Sequence, residues 1–94
     1  MDRERSLELL NATHEFPCAF TIKVIGTLTD DFVHRILSAV RDDEDVDDDF
    51  PYSTRSTPGG RHVAVTMEPT LRSAEQVLAI YQRVRVVQGV VMTM

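Results

Sequence analysis

Three polar residues on two predicted strands are the side chains best placed to do chemistry in this sequence. Lys23 lies in an alternating segment, 18–26, and Arg61 and His62 open a second one, 61–68. Alternation of apolar and polar residues is typical of a half-buried strand, so Lys23 and His62 leave their strands on the face away from the core. Such a group fits an anion or partner site. It also fits the polar surface that keeps an open sheet soluble.

The sequence has no arrangement of residues that amounts to an active site or a metal centre. The one cysteine, Cys18, forms no Cys-x-x-Cys pair, and His14, His34 and His62 lie far apart in sequence, whereas metal centres gather several ligands. Residues 87–90, Val-Gln-Gly-Val, are similar to the phosphate loop of acylphosphatases, but no helix follows that could present its N-terminus to an anion. We therefore expect a protein that is not an enzyme and holds no metal and no cofactor.

The acidic residues are concentrated in one segment, the acidic run. Residues 42–49 read DDEDVDDD and leave the rest of the chain, with its 10 Lys and Arg, close to neutral. The run lacks a calcium-loop pattern, because counting from Asp43 the sixth position is Asp48 rather than glycine and the twelfth is Thr54 rather than glutamate. It predicts a solvated, mobile loop. A docking patch for a basic partner, or weak cation binding, is the alternative.

Charge and hydropathy argue against two classes of partner. A nucleic-acid-binding protein needs a basic face, and this chain has a formal net charge of −5. No apolar run approaches the roughly 20 residues that span a membrane, and the N-terminus, MDRERSLELL, lacks the apolar region of a signal peptide. RNA-binding plaits stack bases on open-face aromatic residues, but the positions expected there are Thr21, Lys23, His62, Ala64 and Thr66. We expect a cytoplasmic protein that binds neither nucleic acid nor a membrane.

Hydrophobic periodicity predicts two helices and four strands. The second helix begins with a capping box at Ser73 and Gln76. Pro51 places one strand at a sheet edge, and Pro58-Gly59-Gly60 predicts the turn after it. Residues 1–15 form an N-terminal arm or a short helix. In chain order the six elements are strand 18–26, helix 30–41, strand 50–57, strand 61–68, helix 73–85 and strand 86–93.

The order β-α-β-β-α-β predicts an α+β fold, a ferredoxin-like two-layer plait in which a four-stranded antiparallel sheet carries both helices on one face. The chain of 94 residues has room for one such domain, 1–94. The first and third strands are then central neighbours, which brings Lys23 and His62 onto adjacent strands. The core residues expected at the centre are Val24, Ile36, Val65 and Leu78.

Several short motifs also resemble one family. They are Phe16-Pro17, Phe20-Thr21, Lys23-Val24 with Gly26, Gly60-Arg61-His62, Glu75-Gln76 and Ile80-Tyr81. In combination they resemble the YbeD-like family of small bacterial proteins of unknown function, over roughly residues 8–94. The resemblance implies a ferredoxin-like plait similar to the ACT regulatory domains of amino-acid metabolism. It implies no catalytic residues.

Two functions of different classes are compatible with these patterns. The first is a non-enzymatic regulatory or protein-interaction module that binds an unidentified protein partner through Lys23, Arg61 and His62 or through the acidic run. The alternative is an ACT-like small-ligand sensor for an amino acid, acting as a homodimer, with its ligand near Gly26 and Thr27, where the first strand meets the first helix. ACT domains usually accompany a larger enzyme, and this sequence contains no such domain, which favours the interaction module.

Overall fold

The structure is a computed structural model that describes residues 2–94, and it shows an α+β protein with three helices and antiparallel sheets. The helices are α1 (Arg3–Thr13), α2 (Phe32–Arg41) and α3 (Ala74–Arg85). The strands are β1 (Cys18–Ala19), β2 (Ile22–Thr27), β3 (Tyr52–Ser56), β4 (His62–Met67), β5 (Thr70–Leu71) and β6 (Val90–Thr93). The expected β-α-β-β-α-β order is carried by β2, α2, β3, β4, α3 and β6. The strands β1 and β5 are additional.

The larger sheet has the strand order β3-β4-β2-β6, and every neighbouring pair is antiparallel. Its central strands are β2 and β4, with Val24 opposite Val65 and Thr27 opposite His62. This confirms that the strand of Lys23 and the strand of His62 are neighbours. On its other side β2 pairs with β6, where the register shifts between Ile25 and Gly26, as at a β-bulge.

One face of the larger sheet packs against α2 and α3 to form the core. Alternate residues of β2 and β4 are buried there, together with one stripe of α2, as the period of each element predicts. The core cluster consists of Ile22, Val24, Phe32, Ile36, Leu37, Val40, Val46, Phe50, Val63, Val65, Met67, Leu71, Val77, Ile80 and Val84.

The start of α3 follows directly from its sequence. The Gln76 backbone N–H donates to Ser73 Oγ at 3.1 Å, and Gln76 Oε1 accepts the Arg72 backbone N–H at 2.6 Å. These bonds satisfy two backbone donors at a helix end that has no intrahelical partner for them. The predicted capping at Ser73 is therefore confirmed.

Leu78 is not a core residue, and the sequence prediction was wrong here. On α3, Val77, Ile80 and Val84 are each no more than 1% exposed. Leu78 is half-buried and lines a cleft with Tyr81 beside α1. Adjacent apolar residues left the rotation of the helix ambiguous. The helix α1 resolves it by covering the second apolar side of α3.

The first predicted strand is divided in two. Segment 18–26 breaks after Ala19, and β1 pairs with β5 in a separate two-stranded sheet. Between β1 and β2, the Phe20 backbone N–H donates to the Pro69 carbonyl at 2.9 Å. Alternation runs across the break without interruption, so the sequence pattern could not reveal it.

The last strand begins later than predicted. The segment 86–93 was expected to be extended throughout, but the strand starts at Val90. Gly89 adopts φ +98°, a left-handed conformation that suits glycine and belongs to a turn. The turn is closed by the Val90 backbone N–H, which donates to the Val87 carbonyl at 3.3 Å. The glycine of the Val-Gln-Gly-Val segment therefore serves the turn that leads into β6.

Candidate functional site

The face of the larger sheet opposite the core is the candidate site, and we call it the open face. Directly opposed residues on antiparallel strands point to the same side of a sheet. Met94 continues the ladder past β6, because its N–H donates to the Lys23 carbonyl at 2.8 Å and its carbonyl accepts the Lys23 N–H at 3.2 Å. The open face consists of Lys23, Ile25, Thr27, Ser53, Arg55, His62, Ala64, Thr66, Met92 and Met94.

The two residues on the open face that carry a full charge, Lys23 and Arg55, are both positive. Lys23 and Arg55 are exposed, and His62 is half-buried. None of the strands in the described residues 2–94 contains an aspartate or a glutamate, although the sequence holds 15 of them. One carboxylate stands at a corner, because Glu68 follows β4 and lines a shallow cleft with Ser53 and Thr66. The open face is thus locally positive on a chain that is negative overall.

An apolar row crosses the middle of the open face. Ala64 of β4 lies opposite Ile25 of β2, and Ile25 lies opposite Met92 of β6. Met92 is 50% exposed and Met94 is 53% exposed. Flexible thioether side chains adapt to irregular partner surfaces. The row gives the face a contact area that does not depend on charge.

The structure brings three of the five predicted site residues onto the open face. Lys23, Thr27 and His62 lie there, and Thr27 is directly opposite His62. Arg61 immediately precedes β4, and its carbonyl accepts the Leu28 N–H at 3.0 Å, so it stands at the rim. Lys23 is four residues from Thr27 along β2, and His62 lies opposite Thr27. Lys23 and His62 are therefore separated by roughly 13 Å along the strands. Lys23 and His62 therefore belong to one surface but to no common pocket.

Gly26 lies on the opposite, core side of the sheet. A Cβ built on Gly26 would approach Cε2 of Phe32 to 2.7 Å, so the phenyl ring takes up the space beside this glycine. The residue is buried. Packing of the Phe32 ring of α2 against this position explains why the residue is a glycine.

A cleft of about 400 Å³ opens where β2 meets α2, lined by Thr27, Thr29, Asp31, Arg35, Gln88 and Gly89. Arg35 Nη2 lies 3.4 Å from Asp31 Oδ1 and 3.4 Å from Thr29 Oγ1. Its Nε atom is buried and has no hydrogen-bond partner. The cleft therefore presents a carboxylate and the outer part of a guanidinium whose Nη2 already contacts Asp31 and Thr29.

The acidic run is tied to the core at one point. Val46 is 6% exposed and belongs to the core cluster. On either side of it, the Asp43 carboxylate accepts the Asp45 N–H at 2.9 Å, and the Asp47 carboxylate accepts the Asp49 N–H at 3.1 Å. Asp43 is half-buried, and the other six acidic residues of the run are exposed, which agrees with the predicted solvated loop. Its mobility stays a prediction.

Tyr81 fastens the chain beyond β6 from the core side. Its hydroxyl donates to the Met94 carbonyl at 2.8 Å. Burial raises the pKa of the Tyr81 phenol above its usual 10.0, because desolvation disfavours the phenolate. The bond holds Met94 in the ladder beside Lys23.

Five residues of the open face were not predicted from the sequence: Ile25, Ser53, Arg55, Met92 and Met94. For Arg55 the signal was present, because period two along β3 places it on the side of Ser53. For Met92 and Met94 it was absent, because a continuous apolar strand does not show which side faces the core. The shift of register at Gly26 makes counting from the strand start unreliable as well.

Neither a metal-binding cluster of side chains nor a membrane-spanning helix is found within residues 2–94. No group of three or more His, Cys, Asp and Glu residues in that range could hold a metal ion. Over the same range, every helix is too short or too polar to cross a membrane. Cys18 is a free, half-buried thiol.

Comparison with known proteins identifies the class. The chain resembles the solution structure of protein HP0495 from H. pylori, with a TM-score of 0.62 and 15% sequence identity, over 86% of this chain and 85% of that one. This likeness concerns the fold alone. The chain belongs to the family described as "Protein of unknown function (DUF493)", whose model matches residues 11–94.

Curated relatives support the same assignment. A UPF0250 protein of Shewanella sediminis (strain HAW-EB3) is 30% identical over 76 residues, which is 81% of this chain and 84% of the relative. A UPF0250 protein of Paraburkholderia phytofirmans (strain DSM 17436 / LMG 22146 / PsJN) is 34% identical over 68 residues, 72% of this chain and 76% of the relative. The resemblance to the YbeD-like family, small bacterial proteins of unknown function, is confirmed.

Proposed function

We propose that this protein is a non-enzymatic protein-interaction module of the cytoplasm, built on a ferredoxin-like plait whose open face binds a partner protein. In this proposal β2, α2, β3, β4, α3 and β6 form the plait, and α1, β1 and β5 are additions to it. The antiparallel order β3-β4-β2-β6 supports the plait, because two crossovers around one hairpin produce that order.

The observation that carries the function is the distribution of charge. The strands contain Lys23 and Arg55 and no carboxylate, on a chain of net charge −5. A surface that has only to stay soluble is best served by interspersed charges of both signs. On the open face, Lys23 and Arg55 lie beside the apolar row, and Met92 and Met94 are half-exposed. Complementary charge raises association rates and selects the partner, and apolar contact supplies binding free energy.

Capture of a partner from cell extract tests the proposal only if capture depends on the open face. We expect Lys23→Glu combined with His62→Glu to reduce capture while circular dichroism and the melting temperature stay close to wild type, because both side chains point away from the core. Arg83→Glu is the control, because Arg83 is exposed on α3 in the helix layer. Equal capture by all three proteins would refute the open face as the binding surface.

The cleft beside Thr27 favours a second candidate function, the ACT-like amino-acid sensor acting as a homodimer. An amino acid carries a carboxylate that Arg35 could bind and an ammonium that Asp31 could bind. Ligand at a hundred times its dissociation constant stabilises a fold by about 2.7 kcal/mol. A thermal-shift screen of amino acids tests this reading, and an increase of several degrees that Arg35→Gln abolishes would establish it. We expect the screen to be silent.

A further inference from the structure

We infer that the segment that docks on the open face is acidic and extended, and that it has the order acidic-x-apolar-x-acidic. The inference rests on the proposed function, since it names the chemistry of the partner segment that the same face accepts.

The charge of the open face selects an acidic partner segment. The described strands carry no carboxylate, and the open face presents Lys23, Arg55 and His62, with Arg61 at its rim. A basic partner segment would leave these groups facing like charge, which is destabilising. An acidic segment would pair with them. The complementary partner is therefore acidic, although the chain as a whole is acidic too.

The spacing of side chains along β2 sets the order of residues in the docking segment. Lys23, Ile25 and Thr27 lie at alternate positions of β2 on the open face, and His62 lies opposite Thr27. The Lys23 ammonium thus stands at one end of a line of roughly 13 Å with an apolar side chain at its midpoint. The imidazole of His62, which can donate a hydrogen bond to a carboxylate, lies beside the other end. In an extended peptide, residues i, i+2 and i+4 also point to one side and also span roughly 13 Å. A segment of the inferred order would place one carboxylate at Lys23, its apolar residue at Ile25 and its second carboxylate at Thr27, beside His62.

The apolar side chain of Ile25, midway along the open face of β2, favours an apolar residue at the centre of the docking segment. Ile25 is flanked in its row by Ala64 and by Met92, and Met92 is 50% exposed. An apolar residue at the centre of the docking segment would cover this row. Each buried methylene contributes about 0.8 kcal/mol, whereas exposed ion pairs contribute about 0.2–1 kcal/mol. The apolar residue therefore supplies affinity, and the carboxylates on either side set the register.

A second copy of this chain is not the occupant. Residues Glu44, Val46 and Asp48 of the acidic run have the inferred order and spacing. Val46, however, is 6% exposed and packs in the core of its own molecule. Presenting it to another copy would require removing it from that core. The occupant is therefore a segment of a different protein.

The test uses the full chain and a short fluorescein-labelled peptide, Ser-Gly-Glu-Thr-Leu-Thr-Glu-Gly-Ser, in anisotropy titrations at low ionic strength. We expect the peptide in which both glutamates are replaced by lysine to bind about fivefold more weakly or worse, the size of a lost surface ion pair or more. A peptide of the same composition with its glutamates three positions apart should also bind more weakly. Added salt should weaken the binding of the first peptide.

Variants of the protein locate the peptide. Lys23→Glu should weaken binding about fivefold or more, and Lys23→Gln should weaken it less, which separates charge from misfolding. Arg83→Glu, on the helix layer, should leave it unchanged. Glu68→Gln should strengthen it, since it removes the carboxylate at the corner of the face.

Three results would overturn the inference: no binding of the glutamate peptide at millimolar concentration, equal binding of the respaced peptide, or tighter binding of a single-stranded oligonucleotide. The first two leave the proposed function standing if a native partner is still captured in a Lys23-dependent manner. If capture and peptide binding are both indifferent to Lys23, the proposed function fails with the inference.

Discussion

The ring of Phe32, on α2, lies directly against Gly26 of β2 and fills the space that a side chain at position 26 would need. A Cβ on Gly26 would come within 2.7 Å of Phe32 Cε2, and Phe32 is itself 0% exposed. The contact fixes the height of the first turn of α2 above the sheet. It also closes the core side of β2 at the residue next to Thr27, so any ligand near Thr27 must lie in the outer cleft.

Gly26→Ala should therefore destabilise the protein, because the added methyl overpacks the core at a cost of about 1–3 kcal/mol. Chemical denaturation measures the change. Ser53→Ala, on an exposed edge strand, is the control and should change stability by less than about 0.5 kcal/mol.

A double-mutant cycle identifies the cause. Leucine at position 32 lacks the outer ring atoms that the methyl meets, so Gly26→Ala should cost less in a Phe32→Leu background than in wild type. Equal costs in the two backgrounds would show that the ring is not what excludes a side chain at Gly26.

The strands of the larger sheet and the helices packed on it could be predicted because each carries its own period. Val63, Val65 and Met67 alternate along β4, and the apolar stripe of α2 has helical spacing. The sequence also placed Lys23 and His62 on neighbouring strands. It did so through the order of elements, since no local signal connects residues so far apart along the chain.

The remaining features depend on contacts between segments and could not be predicted. Leu78 and Ile80 are both apolar, and only the position of α1 decides which faces the sheet. Gly26 is packed against the ring of Phe32, a contact that alternation does not reveal, and its role as a ligand position stays a prediction. Met92 and Met94 lie in an apolar strand whose exposed side is set by a shift of register.

Ile80 and Leu78 provide a direct test of how α3 is rotated. Ile80 is 0% exposed, so Ile80→Ala should lower the free energy of unfolding by about 2–5 kcal/mol. Leu78→Ala should cost clearly less, because Leu78 is half-buried in a cleft beside α1. Urea denaturation of both variants checks the order, and a larger loss for Leu78→Ala would mean that α3 is turned the other way.

Repulsion within the acidic run should be visible as a dependence on salt. Within residues 2–94 the carboxylates of Asp42 and Asp48 accept no hydrogen bond, and both residues are exposed; the Asp48 carbonyl accepts the Arg41 Nε–H at 3.1 Å. Asp42 caps the C-terminus of α2, where an anion is unfavourable. Asp42→Asn with Asp48→Asn should raise the free energy of unfolding by about 0.3–1 kcal/mol per site at low salt. At about 1 M salt the Debye length is about 3 Å, and the gain should disappear.

The matched control is Asp43→Ala, since the Asp43 carboxylate accepts the Asp45 N–H and alanine has no acceptor to replace it, which weakens a turn. It should gain less than the double variant or lose stability. A gain in the double variant that persists at high salt would point away from charge repulsion.

Tyr81 should make the protein sensitive to alkali. Burial raises the pKa of its phenol above 10.0 in the folded state, so the folded protein retains this proton to higher pH than the unfolded chain does. The resulting stability is complete below pH 10 and is lost as pH rises from about 10 through the folded pKa. Melting temperatures across this range should fall in wild type, and Tyr81→Phe should remove part of the decrease.

The same variant loses the hydroxyl bond to the Met94 carbonyl and should be about 0.5–1.5 kcal/mol less stable at neutral pH. Tyr52→Phe is the control, because Tyr52 is 50% exposed. If Tyr52→Phe alone removed the alkaline decrease, burial of Tyr81 would not be its cause.

The most direct test of the open face as a docking surface uses methionine methyl groups as probes. Met92 and Met94 lie on the open face and are 50% and 53% exposed, whereas Met67 lies on the core side and is 0% exposed. Protein labelled with ¹³C at the methionine methyl groups is titrated with the Glu-Thr-Leu-Thr-Glu peptide and followed by NMR. The account predicts that the Met92 and Met94 signals shift together and saturate while the Met67 signal stays in place. Saturable binding that leaves Met92 and Met94 unmoved would contradict it.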